Sequence, residues 1–504
     1  MMGTFPERTS LDGVETEIFK LVSHGATQEQ WAEWLRAPLE HAAAQGNLDL
    51  VDKLIQAGAD GSAGWRGCNG RTLLRAAASG GNEGVVSSLL RQGSRPDVNV
   101  LSPPDGPSAL YEATVLGHEA AARRLILAGA DVDFSDPKGE STLLDAAIHR
   151  GQERLAQELV MSGANVNARS RFAFTALHGA ASSGQEGVVS ALLLRGADKD
   201  AVTDQGFSAL MCAARRGHLD VAKTLLAAGA DFNLRSAKKA GHGPYTFSAL
   251  DLAAQEDHVP IMHALLQGGV DADACDESGG TALYVAAGSG KVASIDALIE
   301  AGANLESKCS AGKTPLEGAA SCGEPDALLA LLRHGATLSV RNGLGMTPLH
   351  SACHHQPGGL LSVVDLLLRW NADETTLDDY GEKPSDLLER VRDDRGCSED
   401  EIERVRVLLA RAPADRAWRR RGWLVMLRAR GLKAQDFSSN QQGRRKETGR
   451  SVARCEGVGD VREKASNRNG AEGDVESMEL VRAVALLTEL QPECVFRLIV
   501  GFLG

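Results

Sequence analysis

The sequence predicts an all-α chain: a solenoid of stacked helix pairs with β-hairpin-like fingers, followed by a C-terminal helical extension. Three observations predict it. A seven-residue phrase recurs along most of the chain, a second phrase follows most copies at a fixed distance, and the composition is that of a long, thin core. Aromatics make up 4% of the residues, against 43% hydrophobic residues and 55 Gly. With so few rings, burial must come from many small contacts among Ala, Leu and Val. At 504 residues the chain also exceeds what one compact core covers, and an elongated array needs no such core.

The first phrase is clearest in TALHGAA (175–181), SALMCAA (208–214), TALYVAA (281–287), TPLEGAA (314–320) and TPLHSAC (347–353). Looser copies are APLEHAA (37–43), TLLRAAA (72–78), SALYEAT (108–114), TLLDAAI (142–148) and SALDLAA (248–254). Successive copies begin 35, 36, 34, 33, 33, 40, 33, 33 and 33 residues apart. The second phrase reads AGAD (57–60), AGADVD (128–133), SGANVN (162–167), RGADKD (195–200), AGADFN (228–233), AGANLE (301–306) and HGATLS (334–339).

Each letter has a mechanical reason. Thr or Ser at the first position can accept from the backbone amides of a helix's first turn, and Pro315 and Pro348 sit next to it, where no amide partner is needed. The paired Ala residues allow two helices to approach closely. Gly46, Gly117, Gly184, Gly217, Gly290 and Gly323 then end the first helix, since glycine tolerates a left-handed backbone. A second helix such as VVSALLLRG (188–196) carries apolar residues at helical spacing and stops at Gly-Ala. One unit cannot bury its apolar stripe alone, so the ends need polar-faced caps. Residues 1–36, with Val14, Ile18, Phe19 and Val22 in one stripe, are expected to form N-terminal capping helices. Residues 381–411, in which KPSDLLERV keeps the phrase but loses the Ala pair, are expected to form the C-terminal cap.

Two phrases in register over ten copies resemble the ankyrin-repeat family across residues 37–380. The resemblance implies a protein partner bound on a concave face of finger tips and first helices. Carried onto this chain, the family's variable contact positions are Phe172, Phe174, Ser182 and Ser183, then Phe207, Arg215 and Arg216, then Tyr245, Phe247, Gln255 and Glu256. His149 and Arg150 come before them, and Met346, His354 and His355 after. In so ring-poor a chain, aromatics on successive finger tips beside Arg are the composition of interface anchors. The competing reading is that the rings fold back and only cover a neighbouring finger. The insertion SAKKAGHGPY (236–245), behind the 40-residue step, lengthens one finger on that same face, or is a tolerated surface loop.

Residues that could carry chemistry are absorbed by the repeat. AAGSGKV (286–292) imitates a phosphate loop, but Val285 stands where a glycine is required and Val292 where a magnesium-binding hydroxyl is required. His350, Cys353, His354 and His355 are close in sequence, yet His350 occupies the family's structural histidine position, as does His178, so no metal site is expected. No nucleophile-and-base arrangement and no cofactor fingerprint stands outside the register, so the chain is expected to be no enzyme and to need no cofactor or small-molecule substrate. The net charge of −13 argues against general nucleic-acid binding. Nine scattered Cys read as reduced thiols, and the start of the chain lacks a secretory signal pattern. A soluble, monomeric protein of the cytoplasm, or of the nucleus, with no membrane partner is the expectation.

Charge is unevenly placed. Between Arg411 and Arg454, thirteen basic side chains stand against three acidic ones, which leaves the remainder of the chain at −23. Residues 412–431 are expected to form a basic amphipathic helix that could dock on the acidic body, serve as a nuclear address, or lie against a membrane or a calmodulin-like groove. Residues 432–475 have the composition of a disordered linker, and 476–504 that of an apolar helical hairpin. That hairpin could pack on the chain itself. Alternatively, LQPECVFRLIVGFL (490–503) resembles the opening helix of an F-box, departing from it by Gln491 between Leu490 and Pro492. That second resemblance implies a substrate receptor of a ubiquitin ligase. The leading expectation is a non-catalytic interaction scaffold or adaptor.

Overall fold

The computed structural model describes residues 35–59, 71–91, 98–101, 106–135, 141–237, 246–354, 359–388 and 399–429. The expected N-terminal capping helices up to residue 34, the linker at 432–475 and the hairpin at 476–504, with its F-box-like segment, lie outside these residues. Among the described residues are 22 α-helices, arranged in sequence as pairs. The chain divides into two units, at Leu344 and Gly345. The first carries nine helix pairs, from Arg36–Ala44 with Leu48–Gln56 to Pro315–Cys322 with Pro325–Arg333.

The hydroxyl at the start of the phrase does what its position demands. Thr72, Ser108, Thr142, Ser208, Ser248, Thr281 and Thr314 each accept from the amide three residues on. The Ala pairs are buried, as at Ala180, Ala181, Ala213, Ala214, Ala253 and Ala254, and so are Leu177, Leu192, Leu210 and Leu225. First helices pack on first helices and second on second, so the core is a two-layer seam of small residues running through the unit. Each fully buried Leu contributes about 2 kcal/mol.

Two ladders tie repeats together through polar atoms. At the helix ends, Gln152 donates to the Thr114 carbonyl at 2.9 Å and Gln185 to that of Ile148 at 2.8 Å, while His118 and His218 reach Ser79 and Ser182 at 3.1 and 3.0 Å. In the finger turns, the last polar residue of the second phrase accepts from a backbone amide of the next repeat. Asp133 accepts from Asn165 at 2.6 Å, Asn167 from Asp198 at 2.8 Å, Asp200 from Asp231 at 2.7 Å and Asp273 from Asn304 at 2.8 Å. Among the described residues no such bond joins Asn233 to the amide of Asp271, across the lengthened finger. Among the described residues three fingers show an antiparallel bridge with both partners in place, Ser135–Thr142, Val202–Ser208 and Cys275–Thr281.

The second unit holds the pair Pro348–His354 and Leu360–Arg369, then the short helix Pro384–Leu387 and a long helix, Glu399–Ala429. The long helix contains Pro413 and runs through position 412, where the charge pattern placed a domain boundary. Ile402, Val405, Leu409 and Ala412 are buried, and its early turns pack on Leu360–Arg369. Arg416, the first arginine of the basic stretch, pairs with Glu374 and Asp373 and donates to the Ala372 carbonyl at 2.9 Å.

Candidate functional site

The site begins with an irregular finger. In the first unit, Gly206, Gly279 and Gly312 stand two residues before the capping hydroxyl with φ of 74°, 72° and 73°. The equivalent residue of the finger before Thr175 is Ala173, which takes φ 56°, and Phe172 beside it takes φ 63°. Two consecutive left-handed side-chain-bearing residues are strained by about 1 kcal/mol each. The backbone holds them there: Ser170 donates its amide to the Phe174 carbonyl at 2.8 Å, and the Asp204 amide donates to the Phe172 carbonyl at 3.0 Å. The result is a Phe172 ring that is 58% exposed, with the Arg171 guanidinium 4.9 Å from its centroid. Ala173→Gly, which places at this position the residue that Gly206, Gly279 and Gly312 supply in their fingers, should raise the stability of the array by about 1 kcal/mol in denaturant titration. A loss of stability would mean that the finger is not strained.

Behind this finger lies His178, fully buried in the helix Ala176–Ser183. Its Nδ1 accepts from the Thr175 amide at 3.2 Å and sits 2.8 Å from the Thr175 hydroxyl, so the proton is on Nε2, which donates to the Phe207 carbonyl at 2.9 Å. Burial holds its pKa below the ordinary 6.5 and keeps the ring neutral. The Phe174 ring tilts against His178 at 5.3 Å.

Six predicted contacts converge, Ser182 among them. Phe172, Phe174, Phe207, Arg215 and Arg216 line one pocket of about 210 Å³, with Cys212, Ser182, Thr203 and Gln205. On the other side of Phe172 and Phe174 is a second pocket of about 270 Å³, which takes in the predicted His149 together with Asp145, Ile148, Ser170, Arg171 and Gly179. Arg150 is exposed at the end of the helix Leu143–His149. Phe247 is half-buried, its backbone fixed to Ser236 by two bonds of 2.9 Å. Gln255 is half-buried and Glu256 exposed at the end of Ala249–Gln255, and neither lines the two pockets. Tyr245 and His355 lie outside the described residues. Met346 belongs to the second unit and is 6% exposed, so its side chain offers no surface for a partner as it stands.

Sequence reasoning passed over Gly179 and Cys212. The glycine in TALHGAA was a readable signal: without a Cβ the helix surface is open there, and an added Cβ would stand 3.3 Å from Ile148. The Cys212 thiol is pushed up to about 11 by burial and so stays protonated and a poor nucleophile. Asp145, in a capping box with Thr142, is raised above the ordinary carboxylate range by burial, against the opposing hydrogen bonds of Thr142. Among the described residues, no group of three or more His, Cys, Asp or Glu is placed to hold a metal ion. His350 is engaged with Thr347 and, 3.2 Å away, the Glu382 carbonyl.

The phrase, the paired helices and the bridged fingers are matched by a family model for ankyrin repeats at residues 39–136, 143–236 and 250–342, and by a single-repeat model at 344–379. The chain belongs to the ankyrin-repeat family. Ankyrin repeats mediate protein–protein interaction and are typically non-catalytic. Among curated proteins, this ankyrin-repeat chain is similar to an ankyrin repeat-containing protein of Treponema pallidum, 32% identical over 99 residues, 20% of this chain and 32% of that protein. It is similar also to the ankyrin repeat and KH domain-containing protein mask-1 of Caenorhabditis elegans, 33% identical over 137 residues, 27% of this chain and 5% of that one. The match therefore spans about a third of the first relative and a small part of the second. Among solved structures, the human ASB11 ankyrin repeat domain is 28% identical with a TM-score of 0.39, covering 45% of this chain and 97% of that domain. Among the described residues no helix is long and apolar enough to cross a membrane.

Proposed function

We propose that the chain is a non-catalytic interaction scaffold that captures a protein on the concave face built from fingers and first helices, centred on Phe172, Phe174 and Phe207. The observation that carries this reading is the strained finger: two left-handed residues hold an aromatic ring in solvent between two pockets. Strain kept at the surface, where a glycine would relieve it, marks a position held for contact rather than for folding. The half-buried Phe174 and Phe207 supply walls and the exposed Phe172 supplies the anchor, the arrangement from which most interface energy comes. As a monomer in the cytoplasm or nucleus, the chain would act by bringing its guest to whatever its other segments hold.

Phe172→Ala combined with Phe207→Ala should remove about 2 kcal/mol or more of binding energy. Quantitative proximity labelling in the source cell should then show the wild-type set of neighbours depleted at least tenfold, while Leu194→Ala, at an exposed position on a second helix, leaves it intact. Equal labelling by the double variant and the wild type would overturn the proposal.

A further inference from the structure

We infer that the guest of this face is an extended acidic peptide segment carrying an apolar anchor, with its carboxylates on Arg215 and Arg216 and its anchor between Phe172, Phe174 and Phe207. The inference rests on the reading that the face binds protein, and it names the chemistry of what is bound. Arg215 and Arg216 end the helix Ala209–Arg216, are exposed, and line the aromatic pocket. Among the described residues neither has an acidic partner. Other arginines of fingers and first helices in the same unit are neutralised in place. Arg71 and Arg75 both close on Glu112, at 2.8 and 3.2 Å, and Arg235 closes on Asp251 at 3.0 Å. Arg150, exposed beside the second pocket, also lacks an acidic partner among the described residues.

Unpaired guanidinium groups thus flank both pockets, in a chain whose net charge is −13. A local basic patch against an acidic background draws an acidic segment to this spot. The planar guanidinium fork accepts a carboxylate in bidentate fashion, which fixes direction as well as affinity. Because the two pockets share Phe172 and Phe174 but belong to successive repeats, the occupant must cross from one finger to the next, as an extended strand does. Arginine with aromatic rings is also how single-stranded nucleic acid is held, through ring faces open for stacking. Here Phe174 and Phe207 are half-buried walls, and the −13 background repels a polyanion, so the peptide is favoured.

The test is to pan a random peptide display library on the full-length chain and to measure the selected peptides by fluorescence anisotropy, with a single-stranded oligouridine as comparison. Enriched peptides should combine Asp or Glu with a large apolar residue a few positions away, and binding should weaken as salt rises. Arg215→Glu with Arg216→Glu should weaken it about thirtyfold at 0.1 M salt, and the two Lys replacements should restore most of it. Phe172→Ala should weaken it without altering the preference for acidic residues. Enrichment of neutral or basic peptides, unaffected by charge reversal, would overturn the acidic inference and leave the protein-binding reading standing. Failure to enrich any peptide, with or without capture of oligouridine, would overturn the inference outright, and capture of oligouridine alone would remove the protein-binding reading as well.

Discussion

Replacing His178 with alanine will destabilise the first unit by about 3 kcal/mol, because the loss includes more than the ring itself. The imidazole is the joint between two repeats: it satisfies the Thr175 amide on its own helix and the Phe207 carbonyl of the next finger. Truncation leaves the Thr175 amide without its partner and the Phe207 carbonyl with the Thr203 amide, 3.0 Å away, and opens a cavity beneath Phe174. Urea titration of the two proteins should show the midpoint fall, and amide exchange should speed up around Thr175 and Phe207 before it does so at distant repeats. A pH series adds a check. The folded-state pKa of His178 lies below the unfolded 6.5, so its neutral form is stabilising above 6.5 and that contribution is lost as the pH falls below it. The penalty of His178→Ala must therefore shrink as the buffer is taken from neutral towards pH 5.5. A penalty below 1 kcal/mol at neutral pH would show that the joint is not mechanical. Since Phe207 hangs from the same ring, guest binding should weaken too, although His178 itself is out of reach of any guest.

Gly184→Ala is the second large effect. Gly184 has φ of 74°, and a Cβ there would stand 2.6 Å from His218 Nδ1 and 3.0 Å from its Cγ, closer than real atoms approach. The left-handed backbone alone makes alanine unfavourable by about 1 kcal/mol. The forced departure of His218 also breaks its 3.0 Å bond to the Ser182 carbonyl, for a total of about 2–3 kcal/mol. The two parts can be separated. In a His218→Ala background the ring is gone, so Gly184→Ala should then destabilise by only about 1 kcal/mol, and the double-mutant cycle should be strongly non-additive. Additive behaviour would mean that the helix-end ladder does not couple these repeats.

The repeat frame was legible because nearly every letter of its two phrases answers a local backbone need: a hydroxyl for orphan amides, small residues for close helices, glycine for a left-handed stop. That Phe172, Phe174 and Phe207 stand on successive fingers was legible for a related reason, since the repeat register assigns them those positions. Met346 shows where that logic fails. It occupies the same slot before a capping Thr as Phe207 before Ser208, yet it is buried, because burial at a finger tip depends on the neighbouring repeat and not on the slot. Which arginines remain unpaired was not legible either. Arg75 finds its acid 37 residues away, on Glu112, while Arg215 and Arg216 find none among the described residues, and only cross-repeat geometry decides between these outcomes. The boundary expected at position 412 reflects a change in charge, and the helix Glu399–Ala429 runs through it and through Pro413.

The finger-turn ladder, with its missing rung between Asn233 and Asp271, divides the first unit's described turns into two bonded runs. The rungs run from Asn99–Asp131 to Asp200–Asp231 and resume at Asp273–Asn304, and between the sixth and seventh helix pairs the described residues are joined by helix packing instead. That link differs in kind from its neighbours. The aromatic pockets, built from residues 145–216, lie wholly on one side of that link. A guest held in them makes its contacts within the stretch whose turns are bonded up to Asp231, and the repeats beyond the lengthened finger join that stretch through their helices.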